Sequence, residues 1–293
     1  AVYSCDRTGQ NLQTIISSGL NTPEDLAVDW LAGNIYVTDS ELNAIIVCDT
    51  FGVYCKSLHK GQVGRVRAIA LDPSNGVMFW TKWGKEPGIY TSSMDGSNLS
   101  ALVKTEIVWP NCLTLHPVME RLYWSDAKLK RIEYYEFLNK HRHVLLEFEN
   151  VFHPYSMTLF EEKLFWTDSI AQTLVAANKF NGRNHTILFR ELNGFINDVK
   201  VYHPIIQRDC GDSPCEFHSC SHLCLLVRNR KSVCACPDHM ILGNDLKTCT
   251  AKANNAFLLV EMDRSVKKIH PETIGRDVLS DFKIPSYIAS TEK

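Results

Sequence analysis

Apolar and polar positions recur along this chain with one long period laid over a short one. An apolar stretch, most often closed by a polar residue and Pro, appears as Leu26-Ala27-Val28-Asp29, Ile69-Ala70-Leu71-Asp72, Leu113-Thr114-Leu115-His116, Met157-Thr158-Leu159-Phe160 and Val201-Tyr202-His203-Pro204. Aligned on Asp29, Asp72, His116, Phe160 and His203, the copies stand 43, 44, 44 and 43 residues apart. A second column is an aromatic tetrapeptide: Tyr36-Val37-Thr38-Asp39, Phe79-Trp80-Thr81-Lys82, Tyr123-Trp124-Ser125-Asp126 and Phe165-Trp166-Thr167-Asp168, in steps of 43, 44 and 42. A third is a turn at Gly9, Gly52, Gly96, Asn139 and Gly182, in steps of 43, 44, 43 and 43. Three columns sharing one period make a repeat protein.

Within each unit the short pattern is β. Continuous apolar stretches suit a strand buried on both faces. The aromatic tetrapeptide, with its β-branched neighbours, suits a second strand. Gly or Asn in the third column supplies the positive φ of a hairpin between two more strands. Four short strands per unit predict an all-β chain of propeller blades, which hide their strand edges by closing into a ring. A solenoid of this period would be mostly helical, and the chain shows no helical periodicity of useful length. The Trp and Asp of the tetrapeptide read as structural, the ring packing between blades and the carboxylate accepting from amides of the neighbouring blade. Val37 in place of Trp, and Lys82 in place of Asp beside Trp83, predict an altered inter-blade contact.

Cysteine usage divides the chain. Of 11 cysteines, Cys210, Cys215, Cys220, Cys224, Cys234, Cys236 and Cys249 fall within 40 residues, which predicts a small stapled module in an oxidising compartment. The expected organisation is an incomplete propeller at 1–206 and the module at 207–253, and residues 254–293 resemble the opening strands of another propeller. Residues 257–282 offer a candidate partner for the strand Val199 to His203. A net charge of -2 with dispersed Lys and Arg gives no footprint for nucleic acid or an anionic membrane surface. No apolar run approaches the length of a membrane-spanning helix. Residue 1 is Ala and no signal peptide precedes the repeats, so a fragment of a longer protein is expected.

The Tyr-Trp-Thr-Asp repeat resembles that of the low-density lipoprotein receptor family, and the cysteine stretch resembles the epidermal growth factor-like module of the same family. The resemblance implies a partial six-bladed propeller, with residues 1–17 as the outer strands of a blade. It implies the pairs Cys215–Cys224, Cys220–Cys234 and Cys236–Cys249, with Cys210 the alternative to Cys215 as first cysteine. Tandem propellers point to the giant endocytic and yolk-protein receptors of the family or to its Wnt co-receptors.

The remaining candidates come from the residues. Cys48 and Cys55 flank the Gly52 hairpin, the placement of a cross-strand disulfide, with two separate buried thiols as the alternative. Cys5 and Cys112 have no assigned partner. His218, His222 and His239 interleave with the cysteines, but disulfides are favoured over a zinc site in a secreted chain. Gly211-Asp212-Ser213-Pro214 offers weak ligation for calcium. Asn98-Leu99-Ser100 and Asn184-His185-Thr186 are N-glycosylation acceptors beside hairpin turns. His116 and His203 hold equivalent places in the first column and are candidates for an acid-triggered release of ligand, against a neutral imidazole capping a strand end. No nucleophile elbow, P-loop, dinucleotide-binding glycine set or zinc-protease motif occurs, so neither an enzyme nor a cofactor is expected. The function expected is a ligand-binding segment of an endocytic lipoprotein- or yolk-protein-type receptor, at the cell surface and in endosomes, taking protein or lipoprotein ligands or other modules of the same receptor. A Wnt co-receptor and a nidogen-like matrix adhesion protein are the alternatives.

Overall fold

The structure, a computed structural model, describes residues 1–147, 151–191, 194–203 and 212–251, with the backbone of two strands at 258–262 and 265–269. Regular structure among them is β, apart from a 3-10 turn at Pro73–Asn75. The chain opens with β1 (Val2–Ser4) paired to β2 (Gln13–Ile16). Four antiparallel sheets of four strands follow, each strand beside its neighbour in sequence. The first blade is β3 (Pro23–Asp29), β4 (Asn34–Asp39), β5 (Ala44–Asp49) and β6 (Cys55–Leu58). The second is β7 (Arg65–Asp72), β8 (Val77–Trp83), β9 (Gly88–Ser93) and β10 (Ser100–Val103). β11 (Pro110–His116), β12 (Arg121–Asp126), β13 (Arg131–Glu136) and β14 (His141–Glu147) make the third. β15 (Pro154–Phe160), β16 (Lys163–Asp168), β17 (Thr173–Asn178) and β18 (Thr186–Arg190) make the fourth. The inner strands β3, β7, β11 and β15 contact one another in turn, which arranges the blades radially.

Alternation along the second strand of each blade explains the aromatic pair. Trp80, Trp124 and Trp166 are fully buried and pack back onto the preceding blade: Trp80 with Tyr36, Ile45 and Val47, Trp124 with Ala68, Phe79 and Val103, and Trp166 with Tyr123 and Ile132. The residue before each Trp faces the other way, as a period of two requires. Tyr36 thus donates its hydroxyl to the Met94 carbonyl at 2.9 Å, and Tyr123 to that of Lys179 at 3.2 Å, each one blade ahead. Val37 faces Val2 and Ile16 of the β1–β2 pair, where a smaller side chain suffices.

The carboxylates work differently from the sequence expectation. Asp126 accepts from Val108 N and Trp109 N through one oxygen and from Lys128 N and Leu129 N through the other. Asp168 does the same with Phe152, His153, Ile170 and Ala171, and Asp39 with Asn21, Thr22 and Leu42. The amides therefore belong to the segment leading into the same blade and to that blade's own turn, not to the neighbouring blade. Where Lys82 replaces Asp, the leading segment turns on Gly61 (φ 75) and Gly64 (φ 63) instead, and the Lys82 stem lies against Gly64. Asn139 also departs from expectation: in the third blade Lys140 carries the positive φ (58), while Asn139 Oδ1 accepts from His141 N at 3.0 Å. The turn glycine serves a second purpose. A Cβ on Gly52 would meet the Ile15 carbonyl of the preceding β1–β2 pair at 1.9 Å, so glycine lets one blade's hairpin close on its predecessor.

Val199–His203 forms no strand. Its neighbour in space is β15, through Val199 N donating to Ser156 Oγ at 3.3 Å. β23 (Leu258–Met262) pairs with β24 (Ser265–Ile269), and among the described residues no ladder joins either to Val199–His203. The rest of 257–282, like Cys210, lies outside the described residues.

Between these regions sits the cysteine module, with β19 (Leu223–Val227) paired to β20 (Lys231–Ala235) and β21 (Met240–Leu242) to β22 (Cys249–Ala251). The structure contains disulfides Cys215–Cys224, Cys220–Cys234 and Cys236–Cys249 here, and Cys48–Cys55 across β5 and β6. Leu223, Leu225, Leu226 and Ala235 join the core cluster of Tyr36, Leu58, Met78 and Trp80, so the module completes the core between the first two blades. Asn34 Nδ2 donates to the Cys224 carbonyl at 2.7 Å, and Ser57 N to Asp238 Oδ1 at 3.0 Å. A Cβ on Gly76 (φ +63) would fall 2.2 Å from the Val227 carbonyl, so this close approach also depends on glycine.

Candidate ligand-binding site

Each inner strand breaks register near its first residues, between Pro23 and Asp25, Val66 and Ile69, Pro110 and Cys112, and Pro154 and Ser156. Three of the four breaks begin on Pro, which has no amide to lend to the ladder. A bulge leaves one residue unpaired and re-aims its side chain. The bulged residues Glu24, Arg67, Asn111 and Tyr155 all line one polar cleft of about 190 Å³ at the starts of the inner strands, with Asp198 and Lys200. The amide after the bulge would be orphaned, and the hydroxyl of the aromatic tetrapeptide takes it. Thr38 Oγ1 accepts from Asp25 N at 3.1 Å, Thr81 Oγ1 from Ala68 N at 3.0 Å and Thr167 Oγ1 from Ser156 N at 3.0 Å. In the third blade Ser125 Oγ sits 2.8 Å from the Cys112 thiol.

These lining residues are absent from the candidates read off the sequence, yet a signal was there. Glu24, Arg67, Asn111, Tyr155 and Asp198 follow one another at 43, 44, 44 and 43 residues, the period of the repeat, with no residue type in common. A search for recurring identities passes over such a column.

The cleft is electrostatically mixed. The Arg67 guanidinium lies between the rings of Trp83 (4.6 Å to the centroid) and Tyr155 (4.5 Å), with Glu24 at 3.8 Å. That cation–π sandwich fixes a cation at the mouth. Lys200 Nζ reaches Asp25 Oδ1 at 3.5 Å across 175 residues of chain. Burial pushes the Asp25 carboxyl up, against the opposing pull of Lys200 and the Ile69 amide. Burial likewise raises the Cys112 thiol to about 11, so it stays protonated and unreactive at neutral pH. Asn111 donates to the Pro154 carbonyl at 2.8 Å, and its buried Oδ1 has no hydrogen-bond partner among the described residues. Beside the mouth, Trp83 stacks on half-exposed Trp109 at 6.2 Å, and Lys128 covers Trp109 at 5.1 Å. Fixed charge, an unmet acceptor and exposed aromatics suit a protruding polar group on a protein partner.

The other candidates lie elsewhere. His116 Nδ1 accepts from Met119 N at 3.2 Å, and its Nε2 stands 2.7 Å from Lys179 Nζ, at the opposite end of the inner strands from the cleft. His203 packs on Phe160 at 5.2 Å. Asn98 and Asn184 are exposed on the β9–β10 and β17–β18 hairpins. His218 contacts Ser232, and His222 contacts Ser221 and Tyr54. Cys5 is exposed. Among the described residues no helix is long and apolar enough to cross a membrane.

Known proteins share this arrangement. The family described as low-density lipoprotein receptor repeat class B matches residues 76–117. The chain is 35% identical over 98% of its length to the vitellogenin receptor Yl of Drosophila melanogaster, of which it spans 14%. It is 34% identical over 90% of its length to the vitellogenin receptor of Solenopsis invicta, of which it spans 15%. A solved nidogen–laminin complex contains a similar chain, 32% identical with a TM-score of 0.55, covering 58% of this chain and 64% of that one. An auxiliary nutrient-binding protein of Bacteroides thetaiotaomicron, 14% identical with a TM-score of 0.51, shares the fold over 62% of this chain and 50% of its own. The relatives are named as receptors, and this chain carries the class B repeat of the low-density lipoprotein receptor family and is similar along nearly its whole length to vitellogenin receptors, of which it spans about one seventh.

Proposed function

We propose that this chain is an extracellular ligand-binding segment of an endocytic yolk- or lipoprotein-type receptor, and that the cleft receives the ligand. The identity to the Drosophila vitellogenin receptor carries this reading, because it runs through blades and module alike. In this reading the ring has six blades, β1–β2 supplying outer strands of one and Val199–His203 the innermost element of another. The Lys200–Asp25 contact, which brings that element back to β3, supports the closure. The cysteine module is epidermal growth factor-like and holds the first two blades in register from the end opposite the cleft. Asn98 and Asn184 carry glycans, which their exposure allows. A single-pass anchor elsewhere in the receptor holds the segment at the cell surface and carries it through endosomes.

Acid release follows from His116. Its Nδ1 is an acceptor, so protonation removes the bond to Met119 N and sets a cation against the Lys179 ammonium, across the junction of the third and fourth blades. His116→Gln with His203→Gln should leave ligand bound at about pH 5.5, where the unaltered chain lets go. Equal release from both would remove this part of the reading.

The main test is binding of purified vitellogenin to the secreted chain. We expect saturable binding that Arg67→Ala weakens about ten-fold or more, the scale of one lost anchor of at least 1.4 kcal/mol. Binding that ignores Arg67 would move the site elsewhere. The likeness to the chain in the nidogen–laminin complex favours a second reading, matrix adhesion, under which a laminin fragment binds and vitellogenin does not.

A further inference from the structure

The gaps between successive blades at the module-bearing end are closed in different ways. Leu225 and Leu226 of the module fill the first. The Lys179 ammonium, against His116 and the Phe180 ring, covers the third. The second, between blades two and three, is an open groove of about 630 Å³, within the range of small-ligand sites. Its wall is aromatic: Phe79 and Tyr135 each contact Phe137, at 5.4 Å between centroids. Its floor holds Thr91, 7% exposed, whose Oγ1 has no hydrogen-bond partner among the described residues. Asp72 and Glu120 stand on its rim.

We propose that this groove is a saccharide bed, occupied by the chain's own N-linked glycan on Asn98; the proposal rests on the reading that Asn98 is glycosylated. Ser100, the third residue of that acceptor sequence, itself lines the groove and is the cross-strand partner of Thr91. Asn98 is exposed two residues earlier in the turn of the same hairpin (φ 59), at most roughly 7 Å away, about the reach of one sugar ring. Aromatic faces take the apolar face of an N-acetylglucosamine ring, while Thr91 and the rim carboxylates meet its hydroxyl and amide groups. Asn184 provides the internal comparison: it occupies the equivalent hairpin of the fourth blade, whose outer strand β18 is exposed along its length among the described residues.

The test is enzymatic release of glycans from the native secreted chain, followed site by site by mass spectrometry. The mass of the Asn98 peptide before glycan release reports whether Asn98 is modified at all, so failure of the glycosylation reading is seen separately, and an unmodified Asn98 overturns the proposal too. With both sites modified, we expect release from Asn98 about ten-fold slower than from Asn184, as about 1.4 kcal/mol of groove contact would give. The difference should vanish on denaturation. It should shrink to within about two-fold in Tyr135→Leu with Phe137→Leu, which keeps apolar volume and removes the stacking faces. Thr91→Val, which deletes only an unpaired hydroxyl, should shrink it in part in a chain that folds normally. Native rates equal at the two sites, or a difference that survives both variants, would overturn the proposal.

Discussion

At one end of the inner strands, bulges leave Glu24, Arg67, Asn111 and Tyr155 facing an uncovered polar cleft. At the other end, the leucines of a disulfide-bonded module complete the core between two blades, and Gly76 lets its backbone come within contact of the turn. The strands are the same; what differs is whether side chains are spent on packing or left for a partner. Substitution should therefore damage stability at the module end and binding at the cleft end.

The largest effect is expected where the two ends share a core. Trp124→Ala empties a fully buried site between the second and third blades and should cost about 3–5 kcal/mol in urea unfolding. Leu225→Ala at the module junction should cost about 2–4 kcal/mol, and it should loosen the first blade, though it alters no propeller residue. Asp126→Ala strips acceptors from four amides and should cost about 2–4 kcal/mol, whereas Lys82→Ala, at the blade that manages without the carboxylate, should cost under about 1 kcal/mol. Equal losses at Asp126 and Lys82 would mean that the carboxylate clamp is dispensable.

A pH effect separates the ends further. Asp29, buried at the module end beside Asn34, has its carboxyl raised by burial to about 6, although the Ala32 and Leu31 amides pull it down. A carboxyl raised in the folded state binds its proton more tightly there than in the unfolded chain. Its contribution favours folding in acid and fades as pH rises from about 4 to 6, on the order of 3 kcal/mol in all. Asp29→Asn should flatten this slope in denaturation curves taken across that window. Arg67→Ala at the cleft should likewise have only a small effect on stability, about 1 kcal/mol for a partly exposed ion pair and its ring contacts.

Much of this architecture was legible because packing repeats. Tyr36, Phe79 and Tyr123 face the next blade, Trp80, Trp124 and Trp166 face the previous one, and each environment recurs, so each residue type recurs. The Thr of the tetrapeptide recurs for a reason invisible without coordinates, since the amide it accepts is orphaned only by the bulge. The cleft residues were hidden for the opposite reason: nothing in the fold dictates what a bulged side chain must be, so Glu, Arg, Asn and Tyr stand in one column. The positive φ at Lys140 instead of Asn139 shows the limit of residue preference, because the turn geometry sets the position and a lysine accepts it. Val199–His203, expected as an inner strand from its place in the repeat, forms none, because a copy of the repeat column makes no ladder unless a partner strand lies beside it.

Hydrogen–deuterium exchange of the chain with and without bound vitellogenin tests the division of labour most directly. The account predicts new protection around residues 24, 67, 111 and 155 and none at 223–227, where the module is already packed. Protection gained at the module strands, with the starts of the inner strands unchanged, would contradict it.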